Sequence, residues 1–322
     1  MRFFINTSFD PAFNLALEEL LFKEFPEELF MLWRNRSAVI VGKNQNTLAE
    51  VDHHFAEAND IAIVRRITGG GAVYHDLGNV NYSLLVQERQ PGPDSFARFA
   101  KPVVEALQKM GINAAFSGRN DIEVDGKKIS GSAQCCFQNR TLFHGTLLFE
   151  INMELLSKVL TPRQIKLESK GVRSVRARVG NLKELLPDMD VEEFIEAFAK
   201  QFAEFAGTPE PVPLEWCQRA ENLAEERYRQ PEWNWGGPFE CTWENSAKFS
   251  AGVVEIKLRA QGGCIEEIHI QGDFFGEASV LEESLKGALF HKSAVEERLK
   301  TVEVKEHIKG LTKEEFISLF NL

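Results

Sequence analysis

The chain predicts an α+β fold in two parts, a large one followed by a small α+β C-terminal one, and three observations carry this. Hairpin chemistry is strong in the first half, where Asp125-Gly126 and then Gln138-Asn139-Arg140 separate runs of strand character. Apolar residues recur at helical spacing after Asp10-Pro11, from Ser95 to Met110 and after Asp190. Composition then changes: Pro209, Pro211, Pro213, Pro231, Gly236, Gly237 and Pro238 punctuate a stretch with one short helical pattern, as a connection between domains would. The expected boundary puts residues 1–238 in the large part, with 207–238 as connecting segment, and 239–322 in the small one.

Taken in order, Arg2 to Ile5 reads as an opening strand. Asp10 and Pro11 supply an N-cap and an N1 proline for a helix whose Leu15, Leu17, Leu20 and Leu21 form an apolar stripe, so this helix packs on a sheet. Leu29 to Arg34 and Ala38 to Val41 read as short strands, with Trp33 either core or pocket wall. Gly42 to Asn46 either turns the chain or presents Lys43 and Asn44 to a ligand.

The stretch from Ala62 to Val86 organises the rest. An apolar run reaches Arg65 and Arg66, breaks into Gly69, Gly70 and Gly71, passes His75, Asp76, Gly78 and Asn79, and resumes as a strand from Val80. Three residues without Cβ let a ligand approach backbone N–H groups, and two guanidinium groups add positive charge suited to phosphate. The glycines match neither a P-loop nor a dinucleotide fingerprint, and no helix pattern follows them. A sharp loop between strands is the alternative reading.

Further on, Pro102 lies inside the 95–110 helix pattern, so that helix begins late or bends, and Gly111 closes it. The hairpin at Gly126 brings Arg119, Asn120 and Asp121 near Lys127 and Lys128, and the small residues Ser130, Gly131, Ser132 and Ala133 leave room for a ligand. Lys127 and Lys128, being adjacent in a strand, point to opposite faces. The next strand runs through His144-Gly145-Thr146. Thr161 to Lys183 is a basic island, either a solvated face or, with Gly171, Ser174 and Gly180 in it, a mobile loop able to close over an anion. Asp190 caps a phenylalanine-rich helix that Gly207 ends. In the tail, strands through Val254–Arg259 and Ile268–Ile270 flank Gly262-Gly263, and three helix patterns follow, two opened by the capping boxes Ser293/Glu296 and Thr312/Glu315.

Composition limits the function classes. With 322 residues and 43% hydrophobic content the chain buries a full core. A net charge of -11 and a pI near 5.3 argue against a broad nucleic-acid footprint. There is no apolar run long enough to cross a bilayer and no h-region after Met1, so the expected location is the cytoplasm, away from membranes. Five cysteines without metal-type spacing read as reduced thiols.

Together, the segments R-R-I-T-G-G-G-A-V-Y-H-D-L-G-N-V-N, G-R-N-D-I, D-G-K-K-I-S-G-S-A, H-G-T-L-L, K-G-V-R-S-V-R-A-R-V-G-N-L, W-N-W-G-G-P and I-Q-G-D-F-F resemble those of a lipoate-protein ligase. The resemblance implies a large domain of the biotinyl/lipoyl ligase type, with a mixed, largely antiparallel sheet flanked by helices, and an accessory C-terminal domain. It implies ATP-dependent activation of lipoate to lipoyl-adenylate, with Mg²⁺, and transfer to a lysine of an acceptor lipoyl domain. Such acceptors are the glycine cleavage H protein and the E2 subunits of 2-oxoacid dehydrogenases, and the ligase would act as a monomer.

By the same resemblance Lys128 is the catalytic lysine, and Arg66 with Gly69, Gly70 and Gly71 holds the adenylate beside Ala72, Val73 and Tyr74. Asn79 and Asp121 serve ATP and the metal, His75 shapes the site, and Lys170, Ser174, Val175 and Arg176 belong to the loop that closes. Trp33, Asn120, Ser130, Gly131, Ala133, His144 and Gly145 complete the binding set. Two other functions compete: an ATP-independent octanoyl or lipoyl transferase using Cys135 or Cys136 as acyl carrier, and a non-catalytic lipoate- or adenylate-binding protein.

Overall fold

Strand-forming runs of the first half assemble into two sheets in a computed structural model that describes residues 1–88, 92, 94–160, 179–235, 243–261, 263–290 and 292–320. In chain order the strands are β1 (Arg2–Ile5), β2 (Leu29–Arg34), β3 (Ala38–Val41), β4 (Ala62–Arg65), β5 (Val73–His75), β6 (Asn79–Val86), β7 (Ala115–Ser117), β8 (Asp121–Val124), β9 (Lys127–Phe137), β10 (Arg140–Leu148) and β11 (Glu210–Pro211). Eight of them form the main sheet in the order β11-β1-β2-β6-β10-β9-β8-β7, and β4-β3-β5 form a small second sheet. In the main sheet only the β11-β1 and β1-β2 pairs are parallel. The sheet is thus mixed and largely antiparallel, as expected.

Both faces of this sheet are covered. Phe30, Tyr82 and Phe143 point to one side, under the helices Ser95–Lys109 and Val191–Ala206, whose Phe99, Val103, Phe198 and Phe202 fill that core. Met31, Leu85 and Leu142 point to the other, under the helix Pro11–Glu24, whose Asp10 side chain caps it by accepting from the Ala12 N–H at 3.1 Å. The turns follow their residues. Asp125 (φ 50°) and Gly126 (φ 75°) both take the left-handed conformation that a two-residue β8-β9 connection requires.

The C-terminal part contains β12 (Trp243–Phe249), β13 (Gly252–Gln261) and β14 (Cys264–Gly272), an antiparallel sheet covered by the helices Ser279–Leu285, Lys292–Arg298, Val304–His307 and Lys313–Ser318. Among these residues there are four helices where the sequence suggested three. The Thr312/Glu315 capping box is present, whereas the second helix begins at Lys292, one residue before Ser293, so Ser293 is not its N-cap.

Three other expectations change. The glycine stretch does not lead straight to β6, because Val73 and Tyr74 pair with β3 and bury Tyr74 against Val39 and Val41. The 95–109 helix runs through Pro102. The stretch after Pro209 is more than a connection: the helix Leu214–Leu223 continues into a π-helical turn, Ala224–Tyr228, and Trp216 and Tyr228 pack against the first helix.

Burial of a carboxylate on that first helix yields a test. Glu19, 2% exposed, accepts from Lys23 Nζ (2.6 Å), Arg227 NH1 (2.6 and 2.8 Å) and Tyr228 Oη (2.6 Å). Burial pushes its carboxyl up, but these donors outweigh it and the net pKa lies below the ordinary 4.5. A depressed folded-state pKa stabilises the protein above the unfolded-state value and ceases to do so as pH falls through the folded one. Glu19→Gln is therefore expected to cost about 1–3 kcal/mol at neutral pH, with the gap to the parent narrowing below pH 4.5, measured by denaturant titration at several pH values.

Candidate active site

Alternation along four neighbouring strands builds a pocket floor, since residues two apart share a face. Trp33 of β2 lies opposite Asn81 of β6, Asn81 opposite Thr146 of β10, Ser83 opposite His144, and His144 opposite Ala133 of β9. Leu15 of the first helix, Ile40 of β3 and the Gly70–Val73 stretch close the other side around a cavity of about 160 Å³.

Arg66 fixes the glycine stretch. It is 5% exposed and donates NH1 to the Ile40 carbonyl (3.0 Å), NH2 to the carbonyls of Gly69 (2.7 Å) and Gly71 (2.9 Å), and Nε to Thr68 Oγ1 (2.9 Å). Thr68 Oγ1 lies 2.8 Å from His144 Nε2, and His144 Nδ1 lies 2.9 and 3.0 Å from the two oxygens of Glu18. Glu18 is fully buried, and it also accepts from Ser83 Oγ at 2.5 Å, which in turn accepts from Trp33 Nε1 at 2.9 Å. These partners assign the direction of the chain: Arg66 to Thr68 to His144 to Glu18. Burial lowers the Arg66 guanidinium to about 10, with Glu18 opposing the shift and Arg65 adding to it, so it stays charged at neutral pH.

Arg65 does something else. Its NH1 donates to the carbonyls of Gly42, Lys43 and Gln45, and NH2 to Thr47 Oγ1 and the Asn234 carbonyl. Of the two guanidinium groups expected at the site, only Arg66 lines the cavity.

The opposite wall carries the lysine. Ser130 lies opposite Ile122 but Lys128 opposite Glu123, which leaves Ile129 as an extra residue and turns Lys128 onto the face of Gly131. There Lys128 Nζ meets Asp121 Oδ1 at 2.7 Å, and a Cβ at position 131 would lie 2.7 Å from that amine. Lys127 points away to Glu184 Oε2 at 2.9 Å. Asn120 reaches the pocket with its Nδ2 donated to the Ser132 carbonyl at 2.6 Å.

A model of the lipoyl protein ligase A/B catalytic domain matches residues 10–203, and one of the bacterial lipoate protein ligase C-terminus matches residues 239–320. The chain belongs to the lipoate-protein ligase family. It is 39% identical over 328 residues to lipoate–protein ligase 1 of Staphylococcus aureus, covering all of both chains, and 38% identical to a lipoate-protein ligase of Bacillus subtilis over 96% of each. The crystal structure of P. falciparum LipL1 in complex with lipoate matches with a TM-score of 0.80 and 25% identity over 98% of this chain and 97% of that one. A lipoate-protein ligase A bound with ATP matches with a TM-score of 0.64 and 27% identity over 73% of this chain and 98% of that one. By this membership the chain is an enzyme of the ligase class.

In this lipoate-protein ligase the cavity gathers Trp33, Arg66, Gly70, Gly71, Ala72, Val73, His75, Asn120, Lys128, Gly131, Ala133, His144 and Gly145 from the expected set. It leaves four aside. Gly69 packs on the C-terminal part, Tyr74 is buried beside β3, Ser130 faces Tyr82, and Asn79 is buried with its Nδ2 donated to Asn81 Oδ1. Asp121 stands at the edge through Lys128. Lys170, Ser174, Val175 and Arg176 lie outside the described residues. Sequence reasoning missed Leu15, Ile40, Asn81 and Thr146 as lining residues, and Glu18 behind them, whereas Ser132 lines the cavity as the small-residue run suggested. The strand alternation could have found Asn81 and Thr146, which share a face with His144.

Neither cysteine of β9 lines the cavity. Cys135 packs toward the first helix, where burial pushes its thiol pKa up, and Cys136 is exposed with Sγ 3.5 Å from Thr141 Oγ1. Lys43 and Asn44 do not face the cavity either: Lys43 pairs with Glu277, and Asn44 donates to the Gly276 carbonyl at 3.1 Å. Arg119 donates to the Ala251 carbonyl at 2.7 Å and lies over the Phe275 ring. All three join the C-terminal part.

The three glycines have separate reasons. A Cβ at position 69 would sit 2.3 Å from the Phe274 carbonyl oxygen, Gly70 has φ 96°, and at position 71 no atom of the described residues lies within 4 Å. Gly69→Ala is expected to cost about 1–3 kcal/mol by overpacking, and Gly71→Ala less than about 0.5 kcal/mol. Calorimetric unfolding of the two variants checks this.

Proposed function

We propose that the protein is an ATP-dependent lipoate-protein ligase that forms lipoyl-adenylate and passes the lipoyl group to a lysine of an acceptor lipoyl domain. The observation that carries this reading is the pair of cations, Lys128 and Arg66, on opposite walls of one pocket that continues to the apolar and aromatic groups Leu15, Ile40 and Trp33. The ATP-bound and lipoate-bound relatives support it, as does a Thermoplasma acidophilum ligase studied with its E2 lipoyl domain, 27% identical over 76% of this chain with a TM-score of 0.65.

In the first half-reaction the lipoate carboxylate attacks the α-phosphate and pyrophosphate leaves. Two anions must approach, so Lys128 Nζ and the Arg66 guanidinium lower their repulsion and stabilise the charge that develops. Gly71, with no atom of the described residues near its missing Cβ, leaves the backbone open to the phosphate, and Ala72 and Val73 flank the adenine. Asn120 orients the adenylate beside Lys128. In the second half-reaction the acceptor amine attacks the acyl carbon, its nitrogen loses a proton, and AMP departs with the electron pair of the broken C–O bond.

One carboxylate, Asp121, suits Mg²⁺ that arrives bound to phosphates rather than in an all-protein cage, and among the described residues no group of three or more potential ligands is present. When bound, the ion would neutralise phosphate charge. We assign residues 1–238 to the catalytic unit and 239–322 to the accessory one, in accord with the two family matches. No helix among the described residues is long and apolar enough to cross a membrane. Free thiols suit a reducing compartment, so we assign the reaction to the cytoplasm, carried out by a monomer on E2 and H-protein acceptors.

Incubation with ATP, Mg²⁺, lipoate and an acceptor lipoyl domain, read by pyrophosphate release and acceptor mass, tests this; absence of both products would refute it. Lys128→Ala is expected to lower adenylate formation at least about 100-fold with the fold intact, and Lys127→Ala less than about threefold. Cys135→Ser and Cys136→Ser are expected to stay within about tenfold of the parent, and loss of activity with an acyl-thioester trapped on the parent would favour the transferase chemistry instead.

A further inference from the structure

Two buried side-chain nitrogens of pocket residues have no partner among the described residues: His75 Nε2 and Asn81 Nδ2, on residues 3% and 2% exposed. Both residues line the cavity and both flank Trp33, His75 with its ring 6.5 Å from the indole and Asn81 in register with it on the next strand.

A chain of buried amides fixes what His75 offers. Asn6 Nδ2 donates to Asn14 Oδ1 (2.8 Å), Asn14 Nδ2 to Asn35 Oδ1 (2.9 Å), and Asn35 Nδ2 to His75 Nδ1 (3.1 Å). Asn14 Nδ2 shares its two hydrogens among Asn35 Oδ1 and the Ser8 and Arg34 carbonyls, three oxygens that only a nitrogen can face, which fixes its orientation and so that of Asn35. His75 Nδ1 is therefore an acceptor and Nε2 carries the hydrogen. Burial, with Arg66 and His144 nearby, lowers this histidine to about 3, and it stays neutral at physiological pH. Asn81 lines the cavity and its Oδ1 accepts from Asn79 Nδ2 at 2.9 Å, so with that amide orientation its own N–H groups have no partner among the described residues.

Sheet register sets where these donors lie relative to the lysine. Asn81 is opposite Thr146, whose Oγ1 accepts from the Gly131 N–H at 3.2 Å, and Gly131 adjoins Lys128 Nζ. Asn81 is thus two strand spacings, roughly 10 Å, from the Gly131 row. If the acyl carboxylate is held at Lys128, as the proposed function requires, the far end of an extended acyl chain arrives between His75, Asn81 and Trp33.

We propose that His75 and Asn81 read the sulfur atoms of the dithiolane ring and make this ligase select lipoate over octanoate. The two acids have the same carbon count and the same carboxylate, so the head of the site treats them alike. Disulfide sulfur is a weak acceptor that N–H groups can meet, whereas methylene and methyl groups leave buried donors unpaired. A site built with such donors rejects an analogue that lacks the acceptor.

The test compares kcat/KM for lipoate and octanoate, with ATP and an acceptor lipoyl domain, in the parent, His75→Phe, His75→Gln and Asn81→Leu. The parent should prefer lipoate at least about tenfold, His75→Phe and Asn81→Leu should each lower that ratio by about threefold or more, and His75→Gln, which returns an N–H near the Nε2 position, should restore most of it. An unchanged ratio in both apolar variants, a parallel fall for both acids, or an effect confined to the KM for ATP would overturn the proposal. Calorimetric binding of each acid to the parent without ATP stands apart from variant folding and from the ligase reading: tighter lipoate binding supports the proposal even if no acceptor is modified, and equal affinity sinks it.

Discussion

Burying a guanidinium is the constraint around which the molecule is arranged. An uncompensated buried charge is costly, and Arg66 avoids that cost in two ways at once. Its four hydrogen bonds go to Thr68 and to the carbonyls of Ile40, Gly69 and Gly71, and its countercharge, Glu18, is reached through Thr68 and His144. The chain ties together β3, the glycine stretch, β10 and the first helix. None of these can shift alone without exposing an unpaired group, so the pocket is rigid where positive charge is presented.

The same glycine stretch touches the C-terminal part. Gly70 N donates to the Phe274 carbonyl at 3.2 Å, and the missing Cβ of Gly69 lets that carbonyl approach. Gly272 N donates to the Asn44 carbonyl at 2.7 Å, and Phe275 enters the main core beside Phe96. Arg66 thus grips the loop from one side while Phe274 grips it from the other. Any displacement of the C-terminal part is felt at the backbone of Gly69 and Gly70, and Gly70 itself lines the cavity with Gly71, so the C-terminal part has a direct mechanical route to the pocket.

Local chemistry was legible in the sequence, and interactions across the sheet were not. Arg2–Ile5, Leu29–Arg34 and Ala38–Val41 appear at the expected positions because their runs are short, apolar and bounded by turn residues. Asp10, Asp190 and Thr312 cap helices as their side chains dictate. The site's residues came largely from a resemblance that named them, yet Glu18 was hidden: an acid in an apolar helix reads as a solvent-facing residue until a histidine on another strand is seen above it. Arg65 and Arg66 look equivalent as neighbours, but adjacent residues leave a strand end in opposite directions, and only the partners show which one serves the pocket. The bulge at Ile129, which turns Lys128 inward, has no glycine or proline to announce it.

A gradient of polarity along one row of the sheet follows from these placements. At one end stand Lys128 and its partner Asp121, and at the other two neutral groups beside an indole, with Thr146 between them on the intervening strand. Strand spacing fixes the distance between the ends, so the sheet itself sets the chain length that fits, and the side chains at the far end decide only which terminal atoms are accepted. Length and terminal chemistry are therefore read by different parts of the fold. A substitution at His75 or Asn81 alters the second without moving the first, because neither side chain carries the strand register that holds Lys128 and Trp33 apart.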